Sequence, residues 1–335
     1  VMGDLFDGSA AARERWMLLA LAVFASVLSR NHRTGTSTAD VAEAEAALYV
    51  AVPITAVAET AVRAEQLAAK AIHTAVLQGL IDRRGLIPVE VPPDAPSATA
   101  DLARELAVEE VFTSSLLCDA GRCSAGLRRV DRTGAVLWAH SFSADPEKPL
   151  SLGEAVLGHL GAAYPDAATR PGAAALEVRP EDYERYLDLA ARFEGRDGGL
   201  SAAQLLDELD EIVASSPRFV AAPLLQAHVA LQRHQGSRDP GDEERARVAV
   251  DRALAVAPRN PRVLLLAARA ARQAEDWSTA ESRLAEVKRL EPGHSSADFQ
   301  LALIAEQRGD VEGAAEILRR LAARHPSVYH LFNSA

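Results

Sequence analysis

Apolar residues are spaced in two different ways along this chain, and the change falls near residue 165. Before that point, short apolar runs alternate with stretches of helical period. ALYVAVPI (Ala47–Ile54) is brief, β-branched and stopped at a proline, which predicts a buried strand. Ala61, Ala64, Leu67, Ala68, Ala71, Ala75 and Leu80 recur at helical spacing and predict a helix over 59–82. GLIPVEV (Gly85–Val91) reads as a second strand, and its proline suggests an edge or a strand start. Ser97 is placed to cap a helix running to about Val108. Three strands follow, EEVFTSSLL, CSAGLRRV and AVLWAHSF, joined by the turns DAGR and DRTG into a meander. SLGEAVLGHLGAAY (Ser151–Tyr164) closes the unit as a helix. The order β-α-β-α-β-β-β-α predicts a mixed sheet with helices packed on it.

Beyond the Pro/Gly/Ala segment Pro165–Ala174 only helical periodicity remains, and it repeats. Pro258, Pro292 and Pro326 recur at a constant 34-residue step. Ala246, Ala280 and Ala314 keep the same step, as do Val250, Leu284 and Leu318, and Ala253, Val287 and Leu321. A small residue lets two helices approach closely, large apolar residues fill the wedge to the next pair, and proline ends the second helix. Ala227, Ala268 and Ala302 take the small position of the first helices. A 34-residue helix–turn–helix unit of this kind resembles the tetratricopeptide repeat. Between Pro217 and Pro258 the step is 41, seven longer, and GSRDPGD (Gly236–Asp242) is expected as an inserted loop between the two helices of that pair. A degenerate first copy, Tyr183–Pro217, keeps Leu205, Leu209 and Ile212. The expected class is therefore a small mixed-sheet α/β domain followed by an all-α solenoid.

In stacked helix pairs the first helices line the concave side. Arg262, Leu265, Arg269 and Arg272 are expected there from one pair, Phe299 and Leu303 from the next, and Leu224 and His228 from the one before. Arginine pairs carboxylates bidentately, so this set suits an acidic, partly apolar peptide. A groove whose arginines only keep it soluble is the alternative.

One apolar run belongs to neither regime. WMLLALAVFASVLS (Trp16–Ser29) carries no charge over its 14 residues, follows Arg13 and Arg15, and precedes a polar stretch. It is short for a full span of about 17–25 residues. A membrane anchor or export signal is the expectation, and a buried core helix the alternative.

Charge narrows the partners. With 36 basic and 47 acidic residues the net charge is −11, which repels a nucleic-acid backbone, so no nucleic-acid partner is expected. Apolar residues make up 48% and aromatics only 5%, so the core must be built from Ala, Leu and Val. The nine histidines are scattered, with no HExxH and no zinc spacing around the cysteines. No phosphate loop or nucleophile elbow occurs. No catalytic residue, metal or cofactor is expected. Cys118 and Cys123, the only cysteines, flank the DAGR turn. In a hairpin they oppose each other within disulfide range, and a closed loop is favoured over metal binding or redox catalysis. Two free thiols at an exposed turn is the alternative. A disulfide would fit an oxidising compartment.

The segment Ala47–Tyr164 resembles the TolB amino-terminal-like domain, related to the FlgO-type domain. YVAVPI is similar to that family's opening strand and DLARELAVEEVFTSSL to its helix and central strand. DRTGAVLWAHSF, with Gly134, Leu137 and Trp138, is similar to its turn and last strand. The chain departs after the first strand, where TAVAETAVRAEQ stands in place of an acidic and aromatic stretch. The resemblance implies a non-enzymatic module that in bacterial signalling proteins sits behind a membrane helix and before tetratricopeptide repeats. The expected division is a polar tail (1–15), an apolar anchor or signal (16–29), a linker (30–45), the TolB-like domain (46–165), a linker (166–180) and the repeats (181–335). The expected function is an envelope-side sensor or scaffold that binds a protein or peptide, acidic in character, and meets the membrane through residues 16–29. A cytoplasmic scaffold or regulator fragment, from a serine/threonine kinase or cyclase, is the alternative.

Overall fold

The computed structural model describes residues 47–91, 95–96, 98–119, 122–170, 176–193, 201–292 and 294–324. The apolar run 16–29, its flanks at 1–15 and 30–45, the Ser97 cap and the tip of the DAGR turn lie outside them.

Among the described residues five strands form one sheet: β1 (Leu48–Val52), β2 (Leu86–Glu90), β3 (Glu110–Asp119), β4 (Arg122–Asp131) and β5 (Val136–Ala144). Their order is β2-β1-β3-β4-β5. β1 runs parallel to both β2 and β3, and the β3–β4–β5 meander is antiparallel. Pro88 cannot donate to a ladder, and β2 is accordingly an edge.

Alternation along β1 serves two faces. Val50 and Val52 pack with Ile72, Val76, Leu152, Val156 and Leu160 from α1 (Arg63–Ile81) and α3 (Pro149–Ala163). Tyr49 and Ala51 pack with Leu102, Ala103 and Leu106, on and just after α2 (Thr99–Glu105). Helices α1 and α3 touch closely at Gly79, where an added Cβ would come within 2.2 Å of the Leu160 side chain. Helix α1 starts four residues later than the periodicity suggests. Glu65 accepts a hydrogen bond from the Val62 N–H at 3.2 Å and fixes the entry there. Helix α2 is shorter than expected because Ala107 adopts φ 50°, which ends it before Val108.

Eight further helices among the described residues form four consecutive pairs: α4 (Pro180–Phe193) with α5 (Ala202–Ser215), α6 (Ala221–Ser237) with α7 (Pro240–Val256), α8 (Pro261–Gln273) with α9 (Trp277–Leu290), and α10 (Ser295–Gln307) with α11 (Val311–Arg324). The repeat columns are the packing columns. Ala246, Ala280 and Ala314 are buried, as are Ala227, Ala268 and Ala302, while Leu284 and Val287 are fully enclosed. Asn260 and Asp276 cap their helices through side-chain acceptors. The turns inside the last two pairs both use a positive φ, at Glu275 (57°) and Gly309 (85°), again one repeat apart.

The expected inserted loop is corrected. Gly236 and Ser237 extend α6, and Pro240 to Asp242 begin α7, so only Arg238 and Asp239 remain between the helices. The extra residues lengthen both helices to 17, against 13 or 14 in the later pairs. Pro240 at the first helical position and the Asp239 cap explain why a Gly/Pro-bearing segment starts a helix here.

Residues 166–170 also differ from a free linker. Arg170 is only 9% exposed. Its backbone N–H donates to Asp82 O at 2.7 Å, and its side chain donates to Ile81 O and Arg83 O. The guanidinium also pairs with Glu291, between α9 and α10. The α/β unit thereby meets the repeats at two separated places. Arg170–Glu291 and a hydrogen bond from Ser295 N to the Tyr49 hydroxyl (3.3 Å) tie it to the third and fourth pairs. An Arg63–Asp188 ion pair ties α1 to the first pair.

Candidate functional site

The concave face predicted from the repeat lies against the α/β unit, and the two enclose a cavity of about 220 Å³. One wall is apolar: Leu77 and Ile81 from α1, and Leu86, Ile87, Pro88 and Val89 from the edge strand β2. The opposite wall comes from the first helices of three pairs. It holds His228 on α6, Pro261, Arg262, Leu265, Leu266 and Arg269 on α8, and His294, Ser296 and Gln300 at or on α10, with Glu291 at the end of α9 beside them. The i, i+3, i+7 spacing of Arg262, Leu265 and Arg269 puts all three on one stripe of α8.

Four of the eight residues expected on this face, His228, Arg262, Leu265 and Arg269, therefore come together. The other four do different work. Arg272 donates to Gln300 Oε1 at 3.0 Å and to Gln307 Oε1 at 3.1 Å, bridging α8 to α10. Leu224 packs with Val220, Ala253 and Val263. Phe299 is buried with Leu321, and Leu303 joins them. Phe299 and Leu303 hold the last pair together rather than facing an open groove.

Charge in the cavity is unbalanced. The carboxylate among its described lining residues, Glu291, is engaged by Arg170. Among the described residues Arg262 and Arg269 make no ion pair, although Arg262 is near enough to Asp82 to favour its carboxylate, and Arg269 Nε is buried without a hydrogen-bond partner. Burial pulls the Arg269 guanidinium below its usual value. Burial, with Arg269 beside it, lowers Arg272 to about 10 against the opposing pull of Glu306. Burial, then Arg269 and Arg262, push His228 down to about 3. Burial and then Arg170 take His294 down to about 4, against the opposing pull of Asp298. His294 Nδ1 is likewise buried without a partner.

Both imidazoles are neutral at pH 7, with folded-state pKa values below the unfolded value of about 6.5. As pH falls the unfolded chain takes up these protons first, so stability is lost from about pH 6.5 down towards the folded values. The urea midpoint should drop across that window, and less in a His228→Gln/His294→Gln variant. A variant that loses as much as the parent would contradict this assignment.

The other polar clusters look inward. Glu110 takes two hydrogen bonds of 2.7 Å from Arg129 and one of 3.1 Å from the Tyr164 hydroxyl, and Arg129 lies over the Tyr164 ring. This knot fastens the end of α3 to the sheet. Asp182 in the first turn of α4 accepts from Arg179, Ser215 and Ser216; burial opposes its charge, yet these bonds hold the carboxyl at about 2. At the far end of the β3–β4 hairpin Cys118 and Cys123 are direct register partners with Cα atoms 4.1 Å apart, joined in a disulfide. The Glu65 carboxylate lies within 4.8 Å of both sulfurs, but a disulfide offers a metal no thiolate.

Sequence reasoning missed the β2 wall, Arg170, Glu291 and His294. One signal was legible: residues 86–89 are apolar on successive positions, so a strand at the sheet edge had to be covered on more than one face. Arg170 carries no such signal.

Against known proteins, residues 296–327 match the family model described as tetratricopeptide repeat. No curated protein matches the chain. Among solved structures the chain is similar to TTC0263, a thermophilic TPR protein in Thermus thermophilus. That likeness has 15% identity and a TM-score of 0.40, over 55% of this chain and 88% of that one. The chain thus combines a mixed-sheet α/β unit with a TPR-type helical solenoid. Repeats of this class are protein-interaction modules.

Proposed function

We propose that this chain is a non-enzymatic sensor or scaffold of a bacterial envelope or signalling protein, which binds a protein or peptide through its helix-pair repeats. The observation that carries the reading is the run of four helix pairs, the last of which matches the tetratricopeptide model. The segments on which the TolB resemblance rests supply strands β1, β3 and β5 of one sheet, which supports that part of the proposal. The inward-turned ionisable clusters Glu110–Arg129–Tyr164 and Asp182 support a non-catalytic role. In this reading residues 16–29 hold the chain at the membrane, and the Cys118–Cys123 disulfide supports an extracytoplasmic location.

The partner meets the concave face from its rim, since β2 covers the interior. Arg262 is exposed there, and an acidic segment suits it. The test is a pull-down with the full chain as bait, beside an Arg262→Glu variant. A discrete protein retained by the parent and lost on charge reversal is expected; identical retained sets would overturn the groove reading. For the location, alkylation of freshly isolated protein should leave Cys118 and Cys123 unlabelled until a reductant is added. Immediate labelling of both would replace the envelope reading with the cytoplasmic scaffold.

A further inference from the structure

Burying a guanidinium N–H without a partner is costly, and the cavity between the α/β unit and the repeats does so at Nε of the half-buried Arg269. A donor left unmet on a cation that faces a cavity is suited to an anionic acceptor entering that cavity. The surroundings say what the other half is. Arg262 stands at the mouth on the same helical stripe, while Glu291 is already held by Arg170. The facing wall, residues 86–89 of β2 with Leu77 and Ile81, offers only apolar side chains. A ligand must therefore carry an anionic head that takes a forked hydrogen bond, and an apolar body short enough for about 220 Å³.

We infer that this cavity is a binding site for a small apolar monocarboxylate, its carboxylate on Arg269 and Arg262 and its hydrocarbon against β2. The two walls belong to different units of the chain, so the bound acid holds the α/β unit onto the repeats. Inorganic phosphate lacks the body, and an alcohol of the same length lacks the charge. Neither satisfies both walls. This site shares Arg262 with the rim but does not depend on the protein-binding reading, because its ligand reaches inward to Arg269 and β2.

Titration calorimetry on the full chain tests it with hexanoate, hexan-1-ol and inorganic phosphate as probes. Hexanoate is expected to bind saturably, with a dissociation constant no weaker than about 1 mM, and to raise the melting temperature. The alcohol and phosphate are expected to give no saturable heat. Arg269→Gln should weaken hexanoate binding by about tenfold or more. Arg308→Gln, an exposed arginine outside the cavity lining that pairs with Glu281, should leave it within about twofold. If Arg269→Gln does not fold, Arg262→Gln at the exposed mouth takes its place with the same expected direction. No saturable binding of hexanoate to the parent, equal binding of phosphate, or unchanged affinity in the Arg269 variant (or in its Arg262 substitute) would each overturn the assignment.

Discussion

Arg170→Ala is expected to lower stability by about 3–5 kcal/mol, because it leaves Glu291 charged and buried. The two side chains are 8% and 7% exposed, so water cannot replace the lost partner. Arg170 also donates to the carbonyls of Ile81 and Arg83 at the end of α1, and those acceptors lose their donor too. The substitution therefore strikes the junction and not the interior of either unit. Urea unfolding should change from one transition towards two, as the α/β unit and the repeats come apart separately. The charge-free pair Arg170→Met/Glu291→Leu should recover most of the loss, since an apolar pair of similar size leaves no orphaned charge. A parent-like midpoint in Arg170→Ala would show that the junction is held by other contacts.

Leu284→Ala should be the largest loss inside the repeats, about 2–5 kcal/mol. Leu284 is fully enclosed among Leu264, Ala268, Ala280, Val287, Ala297 and Ile304, side chains of both the third and fourth pairs. A cavity there weakens the stacking of one pair on the next. In a solenoid a pair is stabilised chiefly through its neighbours, so α10 and α11, at the end of the stack, should lose protection first. Amide hydrogen exchange should show this as faster exchange in 295–324 with α4 to α6 little changed. Uniform acceleration along the chain would contradict nearest-neighbour coupling.

The repeats were legible because their packing is local and periodic. Ala246, Ala280 and Ala314 occupy the same environment three times, so the environment is written three times. The sheet was legible for a related reason: β1 and the meander carry their strand signal in a few adjacent residues. What stayed hidden depends on contacts distant in sequence. Arg170 and Glu291 are separated by over a hundred positions, and each alone is an ordinary surface type. The concave stripe on α8 could be placed, but not what would lie on it. Phe299 shows the limit from the other side, because its spacing fits the concave face while its bulk is used against Leu321. The lengthened α6 and α7 show that Gly and Pro stop a helix only where the cap chemistry agrees, and Asp239 followed by Pro240 instead begins one.

The contacts at Asp188, Glu291 and Ser295 have a mechanical consequence. A superhelix of stacked pairs takes its curvature from the small rotation between neighbours, and the α/β unit is fastened to it near both ends, at the first pair and across the third and fourth. Between those ends α1 and β2 also lie along the concave side, facing α6, α8 and α10. A shift of the α/β unit would therefore press on several pairs at once. A movement of the sheet would thus reach several pairs directly, without passing from one helix pair to the next.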